Sequence, residues 1–256
     1  MLLMTEQGIR GGVSMISKRY AKANNKYMVD FNSKEISKFI HYLDASNLYG
    51  WAMSQPLPVS DFKWMSKSQT EKWEQFSNQE GCGCILEVDL EYPKKLHDLH
   101  NDYPLAPERI TVNRVEKLIP NLADKKKYIL HCKNLKQYLD LGLKLIKMHR
   151  GISFKESWMK PYIELNTKLR TKASIELEKD FFKLMNNSVF GKTMEDIRNR
   201  VDIRLKTDGK SAEKLAAKPN YERTTIFNED HIAVHMKKTE LVFNKSVYLG
   251  MSILDL

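Results

Sequence analysis

The sequence predicts an α+β fold, because strand-like and helix-like patterns occupy separate stretches of the chain. Residues 85–92 alternate between apolar and acidic side chains, which is the period of a half-buried strand. Residues 162–190 carry the strongest helical pattern. Proline-bearing segments at 54–61 and 100–109 interrupt regular structure before and after the strand. Helices and strands are therefore expected in separate parts of one mixed structure.

Other stretches have weaker patterns. Residues 36–43 (ISKFIHYL) are rich in β-branched and aromatic side chains and predict an earlier strand. In the strand at 85–92, apolar side chains are expected to face the core and acidic ones the solvent: Leu86, Val88 and Leu90 against Glu87, Asp89 and Glu91. Residues 205–222 are polar and lysine-rich, which predicts a loop or small insertion. The chain closes on an apolar run, 246–254.

The composition indicates a globular and basic protein. Its 256 residues are 42% hydrophobic and 29% charged, which excludes a disordered chain. The net charge of +10 suits a polyanionic partner, and it is equally compatible with a basic protein that has none. The chain lacks a long apolar run, so no membrane span is expected, and the opening MLLMTEQG is too short for a signal peptide. Three cysteines fit a reducing compartment.

The helical segment 179–192 concentrates chemistry on one face. At 3.6 residues per turn, one face carries Lys179, Lys183, Asn187 and Phe190. The opposite face is expected to pack: Leu177, Phe181, Leu184, Met185, Ser188 and Val189. Ammonium groups bind phosphates and a flat ring stacks on a base or sugar, so the first face suits a nucleoside triphosphate. An ordinary amphipathic helix with a solvated lysine face has the same pattern.

The segment resembles the finger motif of family B DNA polymerases, K-x-x-x-N-S-x-Y-G. Lys183, Asn187, Ser188 and Gly191 match, and Phe190 replaces the tyrosine. The resemblance implies that Lys183 binds the phosphates of the incoming nucleotide and assists transfer, and that Asn187 and Phe190 line its pocket. It extends less specific roles to nearby basic residues: nucleotide binding to Arg170, Lys172 and Lys179, and DNA binding to Lys192.

Residues 42–50 (YLDASNLYG) resemble the metal-site motif of the same family, D-x-x-S-L-Y-P. Asp44, Leu48 and Tyr49 match, whereas Asn47 replaces serine and Gly50 replaces proline. The resemblance implies that Asp44 is catalytic and binds Mg²⁺ together with the main-chain carbonyl of Ala45. It also implies that Tyr49 packs under the sugar and excludes a ribose 2′-hydroxyl. Taken alone, an Asp after a strand indicates a turn or a helix cap.

A third match, Ile9-Arg10-Gly11-Gly12, corresponds to the family's Y-x-G-G loop without its tyrosine. It implies that Arg10, Gly11 and Gly12 contact template DNA, although two adjacent glycines are also typical of a simple turn. The resemblance divides the chain into a partial antiparallel palm sheet that contains 36–44 and the 240s, helical fingers and mixed insertions. The segments are 1–60 (palm), 61–154 (insertion of the terminal-protein-region type), 155–196 (fingers), 197–238 (second insertion) and 239–256 (return to the palm).

Asp44 precedes Lys183 by 139 residues, 183 − 44, and protein-primed members carry a long insertion between these motifs. The amino-acid sequence around both motifs is most similar to that of polymerases of Maverick- or Polinton-type transposons and related viruses. The resemblance implies a DNA-directed DNA polymerase segment whose partners are primer-template DNA, deoxynucleoside triphosphates and a terminal protein primer, without a membrane. It implies an intracellular setting such as a nucleus, organelle or viral factory.

Residues 192–256 have no match to the family's second metal-binding motif, Y-x-D-T-D-S. Two-metal phosphoryl transfer needs two nearby carboxylates, so we expect the isolated chain to be inactive. Two alternatives stay open. One is a catalytically inactive remnant of a mobile-element polymerase that retains DNA or nucleotide binding, and the other is a generic basic nucleic-acid-binding domain.

Overall fold

The computed structural model describes residues 1–45, 47–157, 159–228 and 230–256, with the backbone alone at residue 77. The chain forms two compact units. The first, the large unit, comprises Met1–Phe190 and Val247–Leu256, and the second, the small unit, comprises Gly191–Ser246. No helix in the described part of the chain combines the length and apolar character that crossing a membrane requires.

The described residues form helices and strands of mixed length. The helices are α1 Leu2–Gln7, α2 Leu48–Met53, α3 Lys67–Glu71, α4 Trp73–Asn78, α5 His97–His100, α6 Cys132–Asp140, α7 Lys160–Lys172, α8 Glu176–Thr193, α9 Gly209–Ala216 and α10 Val247–Asp255. The strands are β1 Leu57–Trp64, β2 Cys82–Glu91, β3 Glu108–Val112, β4 Val115–Ile119, β5 Lys125–His131, β6 Lys144–Ser157, β7 Asp202–Lys206, β8 Tyr221–Asn228 and β9 His231–Met236.

An antiparallel sheet of order β1-β6-β2-β5 forms the core of the large unit. One of its faces packs with α4 and α6, and the other packs against α1 and α10 through Met4 and Met251. Strand β3 pairs with β4 in a separate hairpin. The predicted α+β class with antiparallel pairing is therefore confirmed.

Strand β2 confirms the predicted strand, but the prediction that its acidic side faces solvent is wrong. Glu87 and Asp89 are both buried. Glu87 accepts two hydrogen bonds from Arg150, at 2.7 and 3.2 Å. Asp89 accepts from the backbone N–H of Lys127 at 2.8 Å and lies 2.9 Å from His149. Arg150 and a backbone N–H on the neighbouring strands thus provide partners for carboxylates that alternation alone assigns to water.

The sheet does not contain the segments predicted for it. Residues 36–44 form no strand, and their one ladder contact among the described residues is the bridge between Asn24 and Lys38. Tyr42 and Leu43 are 96% and 88% exposed. The 240s contain no strand either, and α10 begins at Val247. A strand needs partners for its backbone groups, and within 36–44 the described chain offers a backbone partner to Lys38 alone.

Helices α7 and α8 confirm the helical prediction for 162–190 as a pair of helices. Asn166 on α7 donates a hydrogen bond to Asn186 on α8 at 3.0 Å, and both side chains are buried. Tyr162 donates to the carbonyl of Met185 at 3.0 Å. On the face of α8 predicted to pack, Leu177, Phe181 and Leu184 are exposed, whereas Met185 and Val189 are half-buried. The buried polar pair and Val189 thus mark the side of α8 that packs, and the prediction is right only for the C-terminal half of the helix.

The small unit is a three-stranded antiparallel sheet, β7-β9-β8, with α9 on one face. Its core contains Leu215 of α9 and Val234 of β9. Of the two alternatives predicted for 205–222, the loop is wrong, because this stretch contains α9, which Asp208 caps by accepting a hydrogen bond from the N–H of Ser211. The small insertion stays a prediction. The predicted second insertion, 197–238, lies within this unit, and the five predicted segments stay predictions.

Candidate active site

Helix α2 carries the C-terminal half of the metal-site motif. Asp44 and Ala45 are exposed and precede the helix in backbone without regular structure, and Ser46 lies outside the described residues. Asn47 is in the left-handed conformation, with φ 60° and ψ 45°, at the N-terminal boundary of the helix. No described cationic side chain pairs with the Asp44 carboxylate, which leaves it available to a ligand.

A ring stack joins the two main motifs. Tyr49 of α2 and Phe190 of α8 lie with ring centroids 4.4 Å apart and planes 23° from parallel. Around them, Ala52 and Met53 are buried with Ile163 and Ile253, so α2 is held against α7 and α10. The fold therefore places side by side two aromatic residues that are 141 positions apart in the chain.

Lys183 and Asn187 lie on the solvent side of α8. Both are exposed, and no described acidic side chain pairs with Lys183. Phe190 follows Lys183 by seven residues on the same helix, so it lies on the predicted face, and its ring is half-buried against Tyr49. The helix thus presents a free ammonium and an amide beside the ring stack, an arrangement that can bind an anionic ligand.

The other predicted basic residues differ in their surroundings. Arg170 and Lys172 are exposed in the last turn of α7, where cations interact favourably with the helix dipole. Lys179 pairs with Glu176 at 3.3 Å. Lys192 belongs to the small unit, where its ammonium lies 2.9 Å from Glu195.

Glu195 also pairs with Arg200 and Lys245. Lys192, Arg200 and Lys245 hydrogen-bond its carboxylate and lower its pKa to about 2. Lys192 is therefore part of an ion-pair cluster within the small unit.

The glycine loop, residues 9–12, packs into the large unit. Arg10 donates hydrogen bonds to the carbonyls of Ile129 at 2.5 Å and Gly8 at 3.2 Å, and its guanidinium lies 3.6 Å from the ring centroid of Tyr128. Gly12 has φ +73°, a conformation that favours glycine. The loop is held in place by its arginine and turned by its second glycine.

The glycine loop and α2 line a common cavity of about 530 Å³. Its other walls come from α6 and the C-terminal helix. The lining includes Arg10, Gly11, Gly12, Tyr49, Trp51, Tyr128, Asn134, Tyr138 and Asp255. All three predicted motifs thus meet in the large unit, the glycine loop and Tyr49 at the cavity and Phe190 against Tyr49.

Sequence reasoning missed the polar wall of this cavity. Asp255 is half-buried at the cavity wall, and burial raises the pKa of its carboxyl. It accepts hydrogen bonds from the backbone N–H of His131 at 2.5 Å and from Asn134 Nδ2 at 2.9 Å. The signal available was an acid at the end of an apolar run, which predicts burial with partners. The chain gives no local indication of which residues those partners are.

The sequence model of one family, described as DNA polymerase type B, organellar and viral, matches residues 9–256. The chain belongs to this family. The match confirms the resemblance drawn from the motifs, that of the protein-primed group. Among curated proteins, none matches the chain.

Solved structures of Phi29 DNA polymerase are similar to the chain. An orthorhombic crystal form of Phi29 DNA polymerase has 14% identity and a TM-score of 0.46, with 83% of this chain and 33% of the other covered. The complex of Phi29 DNA polymerase with primer-template DNA and incoming nucleotides has 15% identity and a TM-score of 0.48, with 82% of this chain and 32% of the other covered. The chain thus spans about a third of these polymerases.

The type B family implies a magnesium centre, and the described residues fit it incompletely. Asp44 supplies one free carboxylate, and Ala45 supplies a main-chain carbonyl. Within the described ranges, no three His, Cys, Asp or Glu residues are grouped so as to hold a metal ion. A two-metal centre needs a second nearby carboxylate.

Proposed function

We propose that this chain is the nucleotide-selecting part of a protein-primed DNA polymerase and takes part in template-directed transfer of deoxynucleotides. The stack of Tyr49 on Phe190 carries the proposal, because it joins the metal-site motif to the finger motif. The whole polymerase would use two metal ions, and the second carboxylate would come from outside the residues described here.

The proposed roles follow the chemistry of each side chain. Lys183, exposed and unpaired among the described residues, binds the triphosphate of the incoming nucleotide, with Asn187 beside it. Tyr49, backed by Phe190, supports the deoxyribose. Asp44 and the Ala45 carbonyl bind Mg²⁺, a cation that prefers oxygen ligands.

Arg170, Lys172 and Lys179 add positive charge toward the nucleotide, and Arg10, Gly11, Gly12 and Lys192 lie along the DNA. The net charge of +10 supports primer-template DNA as the partner, and we expect that binding to weaken steeply as salt rises. A terminal protein is the proposed primer. Three free cysteines support an intracellular, reducing setting, such as a nucleus, organelle or viral factory.

A second candidate is an inactive remnant that retains nucleotide or DNA binding. The incomplete metal centre favours it, because Asp44 has no clustered carboxylates among the described residues. The two candidates share the ring stack and the basic charge, and they differ in catalysis.

Primer extension with Mg²⁺ and four deoxynucleotides separates the candidates. It should be run on this chain and on the longest product of its reading frame, each beside Asp44→Ala. Asp98→Ala, at another exposed aspartate, is the matched control. Extension by the longer product, lost in Asp44→Ala and kept in Asp98→Ala, supports the polymerase. Extension by the short chain refutes the expected inactivity. DNA binding without extension in either length supports the remnant.

Nucleotide binding tests Lys183 independently of catalysis. Titration with a fluorescent deoxynucleoside triphosphate is expected to give about tenfold weaker binding for Lys183→Ala, because a charged hydrogen bond contributes about 1.5–3 kcal/mol before solvent screening. Lys210→Ala removes an exposed lysine on α9 and should bind normally. Equal affinities for both variants contradict the role of Lys183.

A further inference from the structure

The two departures from the metal-site motif occupy the same space. Gly50 is buried in the first turn of α2, and Asn47 lies three residues before it. A Cβ added at Gly50 would lie 2.1 Å from Asn47 Nδ2, 2.4 Å from Oδ1 and 2.5 Å from Cγ. The Asn47 side chain therefore fills the position that any side chain at residue 50 requires.

The replacement of serine by Asn47 and the replacement of proline by Gly50 account for each other. The conformation of Asn47, φ 60° and ψ 45°, is one that asparagine adopts more readily than most residues. Glycine within a helix lowers the folding equilibrium constant about fivefold relative to alanine. Gly50 thus appears where local helix preference opposes it, and the Asn47 side chain supplies the reason.

The position of this pair connects it to the ring stack. Tyr49 lies between the two residues on a helix of six residues, and Ala52 and Met53 follow in the buried core. Asn47, Gly50 and Trp51 also line a cavity of about 390 Å³ with Thr167 and Lys168 of α7. A shift of the first turn of α2 would change the angle at which Tyr49 meets Phe190.

We infer that Asn47 and Gly50 are an interlocked pair of positioning residues that holds Tyr49 against Phe190 and thereby sets discrimination between deoxyribose and ribose. The functional half of this inference rests on the proposed polymerase function. The interlock itself is a property of the folded chain without nucleotide.

Three variants test the pair: Gly50→Ala, Asn47→Gly and the double variant. Gly50→Ala introduces the colliding Cβ, and Asn47→Gly removes the side chain while it allows the left-handed conformation. On helix preference alone, Gly50→Ala should raise the folding constant about fivefold. With Asn47 present we expect it to lower the constant instead, and in the Asn47→Gly background we expect the rise. Urea unfolding followed by circular dichroism measures this reversal of sign.

The sugar readout separates positioning from stability. The longest active product of the reading frame should discriminate deoxynucleotides from ribonucleotides about tenfold less well with Gly50→Ala, and the double variant should recover to within about twofold. Equal discrimination in folded Gly50→Ala protein overturns the positioning role. If no product of the reading frame binds nucleotide, the proposed function fails, and the unfolding measurements still test the interlock of Asn47 with Gly50. The interlock is overturned if Gly50→Ala changes stability with the same sign in the wild type and in Asn47→Gly, or if the double variant fails to fold.

Discussion

The stack of Tyr49 on Phe190 is open to a direct energetic test. Rings at 4.4 Å and 23° form an offset stack, which contributes about 0.5–1.5 kcal/mol beyond the area it buries. Replacing each ring with leucine keeps an apolar side chain and removes the stack. We therefore expect a coupling free energy of about 1 kcal/mol between Tyr49→Leu and Phe190→Leu, roughly fivefold in the unfolding equilibrium.

The assay is urea unfolding of the wild type, both single variants and the double variant, followed by circular dichroism. A control cycle combines Tyr49→Leu with Phe62→Leu, because Phe62 stacks on Tyr248 instead. That control should be additive within about 0.3–0.5 kcal/mol. A coupling below about 0.3 kcal/mol for the Tyr49 and Phe190 cycle would refute the stack as the link between the motifs.

Three further substitutions test other features. The cations around Glu195 lower its pKa to about 2. The ionised carboxylate therefore stabilises the folded protein above about pH 4.3, and this stabilisation is lost as the pH falls toward 2. Acid titration followed by circular dichroism should show a smaller loss of stability in Glu195→Gln. Asp255→Ala leaves two buried donors without acceptors and should cost about 2–4 kcal/mol in urea unfolding, whereas Asp98→Ala should cost almost nothing. Lys125→Met breaks the ion pair with Glu108 and should lower the free energy of unfolding by about 1–3 kcal/mol. This cost is smaller than that of breaking a fully enclosed pair, because Glu108 regains contact with water. A cost equal to that of Lys126→Met, at an exposed lysine, would contradict this.

Local patterns predicted what depends on local preference. The alternation in 85–92 predicted β2, and the helical period in 162–190 predicted α7 and α8. The burial of Glu87 followed from Arg150, 63 positions away, and no local pattern contains that partner. The strand expected at 36–43 failed for the same reason, because its residues have strand preference and, apart from the bridge of Lys38 to Asn24, no described backbone partner.

The predictions for the candidate site depended on distant partners in the same way. Matching motifs identified Lys183, Asp44 and Tyr49 as candidates, since a motif preserves residue types at fixed spacing. The side of α8 that contacts α7 contains the buried Asn166–Asn186 hydrogen bond, which the helical pattern did not predict. Polar contacts between helices are decided by tertiary geometry, so hydrophobic periodicity assigned the packed side only in part.

The exposed stretch at 36–43 has a consequence for the behaviour of the chain in solution. Phe39, Ile40, Tyr42 and Leu43 present apolar surface on backbone whose hydrogen-bonding groups lack a neighbouring strand in the described structure. Such a segment is a template for strand addition between molecules, and its flanking charged residues are Lys38 and Asp44. We expect light scattering to rise with concentration and to fall in Ile40→Lys. Unchanged scattering would locate the self-association elsewhere.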